Sequence, residues 1–405
     1  MRKLLSSILV LAFLLILCGC SKTSSPEKTE KKQAEELVLW SYFETDAQKQ
    51  GLNTLVEQFN QSQTSYHISW EYVPMADFTK ELSMALTSNS VPDLILVDNP
   101  DMRGLAKLGI LEDITSKLPD TIHEDEYYDE VWHSVVYDEK CYGVPFCCNN
   151  TAIIYNKQML LDAGVEPPGN WEEFQTVSKQ LTNSEHTGFG MSGVKGEQAA
   201  FQFTPWILST GTKLTDMTDP RGKEAFELFF HMIEDESISP DCLNWSQVDI
   251  TRKFLSGEIA MIENGPWALP AIEESGIEYG IIPFPSHTST GVIVGGEDFG
   301  VIKGKNTEGS LTFIRFCSDS NTMSQISEMM MNIPPRRKEA IAFGEKHPDY
   351  RVFVDQMEYG ISRTSVDNWK TICNALGKGL YDMFGNTDTL DSIWNTYVNT
   401  IKENN

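Results

Sequence analysis

The chain has 405 residues, 40% of them hydrophobic, and a formal net charge of −26. That length suits two or three domains with substantial cores. The charge excludes a nucleic-acid backbone as partner, because phosphate recognition needs clustered Lys and Arg.

The chain opens with Arg2 and Lys3, followed by an apolar stretch from Leu4 to Leu17. A bilayer span needs roughly 20 apolar residues, so this shorter stretch is expected to be a signal peptide, residues 1–19. The polar run "SKTSSPEKTEKKQAEE" cannot pack and is expected to form a flexible tether over residues 20–36. From Leu37 the pattern alternates. "LVLW", "YHISWEYV" and "PDLILVDN" are strand-like, and "GLNTLVEQF" and "DFTKELSMAL" place apolar residues at helical spacing. Strand–helix–strand order with continuous apolar strands predicts an α/β fold whose sheet is largely parallel and covered on both faces. A second block begins near Asn149 with the strand "TAIIYN". The helix "NWEEFQTVSKQL" follows, with Asn170 and Glu173 in capping-box positions. "KEAFELFFHMI", the run into "FLSGEIAMI", and "SIWNTYVNTI" complete the helical segments. No internal repeat is visible.

Enzyme and metal motifs do not survive their context. "GFGMSG", Gly188–Gly193, matches G-x-G-x-x-G but follows the polar turn "TNSEHT" and opens no helix, so no dinucleotide cofactor is expected. The seven histidines have no partners at metal-ligand spacing, so no metal is expected either. Cys147-Cys148 lies on an apolar run without an activating base. Cys141, Cys147, Cys148, Cys242, Cys317 and Cys373 fit no disulfide-rich pattern and are expected as buried free thiols, a Cys141–Cys147 bridge being the best exception.

Aromatic residues recur where strands end: Trp40, Tyr42, Trp206, Trp267 and Trp369. An indole is a good platform for the apolar face of a sugar ring, and neighbouring carboxylates and amides can hold its hydroxyls. For any single tryptophan, core packing is the commoner role. Trp267 is the exception, because "ENGP" turns the chain immediately before it.

Several segments together carry a resemblance. They are "PDLILVDNPDMRGLAKLGILEDI", "YGVPFCCNNTAIIYNKQML", "EPPGNWEEFQTVSKQLT", "FLSGEIAMIENGPWALP…YGIIPFP" and "MNIPPRRKEA". In that order and spacing, the chain resembles the extracellular solute-binding proteins of ABC importers, the carbohydrate-binding family that includes maltose-binding protein. "LCGC" resembles a bacterial lipobox, which implies cleavage before Cys20 and lipidation (palmitate) of its thiol.

The resemblance implies a two-lobe, periplasmic-binding-protein-like (class II) fold with the ligand in the cleft between lobes. The breaks at "VPFCCN" and "IIPFPS" would be hinge crossings. The N-terminal lobe would then be 37–146 with 284–330, and the C-terminal lobe 147–283 with 331–405. The implied ligand contacts are Tyr42, Glu44 and Asp98 from the first lobe, the hinge-side Asn149, and Gln202, Trp267 and Trp369 from the second. Val97 and Gln202 stand where maltose-binding protein has aromatic residues, which points to a different or smaller sugar. The implied protein is a monomeric receptor without cofactor, lipid-anchored on the extracellular face of the cell membrane. It would deliver a mono- or oligosaccharide to an ABC permease with its ATPase. The alternatives are the same fold with a polyamine or other non-sugar ligand, and a glycoside hydrolase, which needs a carboxylate pair across the scissile bond.

Overall fold

The computed structural model describes residues 34–385 and 388–403. The leader, Cys20 and most of the tether lie outside the described residues. In chain order the strands are β1 (Glu35–Ser41), β2 (Tyr66–Tyr72), β3 (Leu94–Asp98), β4 (Val136–Tyr137), β5 (Lys140–Cys141), β6 (Gly143–Asn149), β7 (Ala152–Asn156), β8 (Thr187–Gly190), β9 (Ile259–Asn264), β10 (Tyr279–Ile282), β11 (Ile293–Val301) and β12 (Ile361–Ser362). One sheet runs β2-β1-β3-β11-β12, with β6 also on β11, and a second runs β10-β7-β9-β8. β4 and β5 form a separate hairpin.

Helices cover both sheets. The helix Asp46–Ser62 follows β1 and starts at a capping box, Thr45 with Gln48, that satisfies orphan N–H groups. It buries Leu52, Leu55 and Phe59. The helix Trp171–Gln180 is capped by Asn170, whose side chain accepts from Glu173 N. The Glu173 carboxylate accepts from Gly169 N at 2.8 Å, one residue upstream of the expected box.

Two cores follow from this layering. One contains Leu39, Leu55, Ile95, Cys147, Phe299 and Phe313, the other Ile153, Phe174, Trp206, Phe229, Ile262 and Leu376. The chain crosses from the first sheet to the second between β6 and β7 and returns between β10 and β11. Met330 packs in the first core and Ile333 in the second, which locates a third crossing. Cys147 packs with the first core and Phe284 with the second, each on the opposite side of the boundary expected for it.

The expectation of largely parallel sheets needs correction. β1 is parallel to β2 and β3, but β11 is antiparallel to β3 and β6, and β7 is antiparallel to β9 and β10. β11, which re-enters the first sheet from the other lobe, runs against β3 and β6 but parallel to β12. Buried amides hold the first crossing. Asn150 donates to Phe353 O at 2.8 Å, and Gln356 donates to Asn150 Oδ1 at 2.6 Å and to Thr151 O at 3.0 Å. The cysteines Cys141, Cys147, Cys148, Cys242, Cys317 and Cys373 are free and buried. Burial pushes the Cys141 and Cys242 thiols up to about 12.

Candidate functional site

A cavity of about 730 Å³ opens between the two cores, within the size range of ligand clefts. Tyr42, Glu44, Asp98 and Glu297 line it from the first sheet's side. Glu197, Phe201 and Trp267 line it from the second, and Asn149 and Arg363 lie at its base.

The aromatic wall is built locally. β9 ends at Asn264, and Pro266–Ala268 form a single 3-10 turn. The Trp267 ring folds back over Gly265 so closely that a Cβ there would lie 2.0 Å from a ring carbon. Only glycine allows that approach. The indole stays half-buried in the cavity wall, 6.4 Å from the Phe201 ring centroid. Trp206 differs: it is fully buried, and its Nε1 donates to Glu263 at 2.8 Å.

The floor is ionic. Arg363, 2% exposed, grips both oxygens of Asp98 at 2.9 and 2.5 Å and donates to Asn99 Oδ1 at 2.7 Å. It also pairs with Glu197 and lies 4.6 Å from the Phe201 centroid. Asp98 ends β3 and Glu197 opens the helix Glu197–Ser209, so one guanidinium ties the two sides together. Burial raises the Asp98 carboxyl to about 6, partly opposed by Arg363. Tyr42 donates to Glu297 Oε1 at 3.1 Å.

Five of the seven expected contacts, Tyr42, Glu44, Asp98, Asn149 and Trp267, line the cavity. Gln202 and Trp369 do not. Gln202 is fully buried, accepting from Ser192 N at 2.5 Å and donating to Glu263 O at 2.8 Å. Its helical neighbour Phe201 faces the cavity instead, because successive side chains on a helix are turned by about 100°. The aromatic position that seemed lost at Gln202 is therefore filled one residue earlier. Trp369 sits behind the lining, donating through Nε1 to Glu197 Oε2 at 2.9 Å. Val97 is a core residue at 1% exposure.

Sequence reasoning missed Phe201, Glu197, Glu297 and Arg363. The signals available were an acid inside an apolar strand at "IVGGEDFGV" and an arginine two residues after Ile361. "GFGMSG" begins in β8 and carries no phosphate loop: a Cβ at Gly188 would lie 1.8 Å from Ser178 O, so that glycine serves packing. Among the described residues no cluster of metal-ligating side chains occurs, and no helix is long and apolar enough to cross a membrane.

Two α/β lobes with a cleft at their junction and three crossings define a periplasmic-binding-protein-like receptor fold. Residues 54–360 match the family of bacterial extracellular solute-binding proteins, and the chain belongs to that family. It is 23% identical over 370 residues to the multiple sugar-binding protein of Streptococcus mutans, covering 82% of this chain and 85% of that one. Among solved structures it is similar to an ABC transporter solute-binding protein of Thermotoga lettingae bound with α-D-tagatose. The TM-score is 0.83 at 18% identity, over 91% of this chain and 99% of that one. It is also similar to the GacH receptor of Streptomyces glaucescens, solved unliganded and with acarbose, with a TM-score of 0.82 at 20% identity over 92% and 98% of the two chains.

Proposed function

We propose that the protein is the sugar-capturing receptor of an ABC importer, held by a lipid on Cys20 at the extracellular face of the membrane. The observation that carries this reading is the half-exposed Trp267 opposite Tyr42 and Asp98 across one cavity. An aromatic face binds the C–H side of a pyranose while carboxylates and phenol take its hydroxyls. The sugar-binding names of the relatives support the same ligand class. The receptor performs no chemistry of its own. Ligand draws the two lobes together about the crossings, and the closed form is what the permease recognises.

Calorimetry against maltotriose, a galactooligosaccharide, diacetylchitobiose, tagatose, acarbose and a polyamine tests the ligand class. Micromolar binding of one sugar, no cleavage of it, and compaction in solution scattering are expected. Binding of the polyamine alone would overturn the sugar reading. For the anchor, Cys20→Ala is expected to appear in the medium, and a variant that stays with the membrane would refute lipidation.

A further inference from the structure

Among the described residues, the Glu297 carboxylate in the floor of the cleft makes no ion pair. Glu297 lies on β11 directly opposite Asp98 of β3 in the antiparallel ladder. The pairing of β11 with β6 shifts register between Glu297 and Asp298, and such bulges re-aim the side chain at the irregularity. The glycines before it allow the approach. Gly296 has φ +141°, and a Cβ there would lie 2.3 Å from Cys147 O. A Cβ on Gly295 would lie 2.1 Å from Asn149 Oδ1.

The result is a side chain that lines the cavity next to Tyr42 and Asp98. Among the described residues its carboxylate accepts from two neutral donors, Tyr42 Oη at 3.1 Å on one oxygen and Cys147 Sγ at 2.9 Å on the other. Each oxygen retains acceptor capacity toward the cleft. Arg363, the nearest buried cation, spends its contacts on Asp98, Asn99 and Glu197.

We propose that Glu297 is a specificity-determining residue of the cleft, whose carboxylate accepts a hydrogen bond from a ligand hydroxyl. This rests on the sugar-receptor reading above. The groups facing Glu297 are Tyr42 from the end of β1, Asp98 from β3, Cys147 and Cys148 from β6, and Arg363 after β12. Asp298 follows it on the same strand, and Asp101 and Glu197 act on the neighbouring Asp98. Desolvation outweighs the hydrogen bonds and the distant guanidinium and lifts the carboxyl to about 7. Below that pH the free receptor holds the proton. A ligand hydroxyl bonds the ionised carboxylate more strongly than the protonated acid, so binding favours loss of the proton to the buffer, and affinity is highest above about 7 and falls as pH drops through it.

Wild type and Glu297→Gln are titrated calorimetrically with the tightest sugar of the panel, at several pH values, in phosphate and in Tris. The wild type is expected to release up to one proton near pH 6 and to lose affinity up to roughly tenfold per pH unit below the shifted pKa. The glutamine variant is expected to bind roughly tenfold more weakly at pH 8, with a shallower profile and less buffer-dependent heat, what remains being that of Asp98. A variant that keeps both the wild-type affinity and the wild-type pH profile would overturn the inference.

A ligand-free arm separates it from the sugar reading. The infrared difference spectrum, wild type minus Glu297→Gln, should show a protonated-carboxyl band at pH 6 that vanishes by pH 8. If no panel sugar binds, the sugar reading falls while this band still supports the proton. Absence of the band overturns the inference whatever binds.

Discussion

The wall and the floor of the cleft are built in opposite ways. The wall is apolar and local: strand, glycine, proline and indole lie within a few residues of one another, from Asn264 to Trp267. The floor is ionic and assembled from afar, Asp98, Glu197 and Arg363 coming from three separate stretches of chain. The wall can give affinity without holding the fold together. The floor cannot be touched without disturbing both lobes, because its charges are buried and mutually compensating.

This contrast can be broken most forcefully at Arg363. Arg363→Met leaves Asp98 and Glu197 without their cation and should cost about 3–5 kcal/mol of folding stability, read from denaturant unfolding without ligand. A stable variant that merely binds sugar poorly would show that the floor is as dispensable to the fold as the wall. Trp267→Ala is the mirror case. It should lower sugar affinity by about 2 kcal/mol, roughly thirtyfold, with the unfolding midpoint of the free protein nearly unchanged. A collapsed midpoint with normal affinity would place the indole in the core.

A carboxyl beneath the wall sharpens the comparison. Glu263 is fully buried; among the described residues its carboxylate accepts from Trp206 Nε1 at 2.8 Å and Thr151 Oγ1 at 3.0 Å, and burial pushes it well above the usual range. Its folded pKa exceeds its unfolded one, so its contribution to stability is full at low pH and lost as pH rises. Glu263→Gln should flatten that loss, raising stability at pH 8 relative to pH 5 by about 1 kcal/mol or more over the wild type. An unchanged pH slope would mean the carboxyl is ionised in place. The rim offers the smallest effect. Glu44 is exposed, and Glu44→Gln should change stability by less than about 0.5 kcal/mol in the same unfolding assay.

The same contrast explains what the sequence disclosed. Trp267 was legible because Gly265-Pro266 announces a turn that leaves a large ring nowhere to hide. Asp98 was legible as the polar end of an apolar strand. Gln202 was expected from the resemblance and missed by one helical step, and the sequence could not correct it because helix Glu197–Ser209 is buried nearly all round and has no distinct polar face. Arg363 left only a faint signal, an arginine two residues after Ile361, because its role depends on partners 265 and 166 residues away. The two-lobe α/β plan was legible from the element order and the resemblance. The antiparallel entry of β11 was not, because strand direction is set by which lobe the chain returns from.

The six buried thiols divide evenly between the lobes: Cys141, Cys147 and Cys317 pack in the first core, Cys148, Cys242 and Cys373 in the second. With no disulfide among them, the fold needs no oxidase and no shuffling step, and a reducing agent leaves it intact. Each set is also a native stopwatch. Cys148 lines the cleft, but an alkylating reagent reaches the other five only when their lobe opens, so the order in which Cys141, Cys147 and Cys317 are labelled against Cys242 and Cys373 reads out which lobe breathes first.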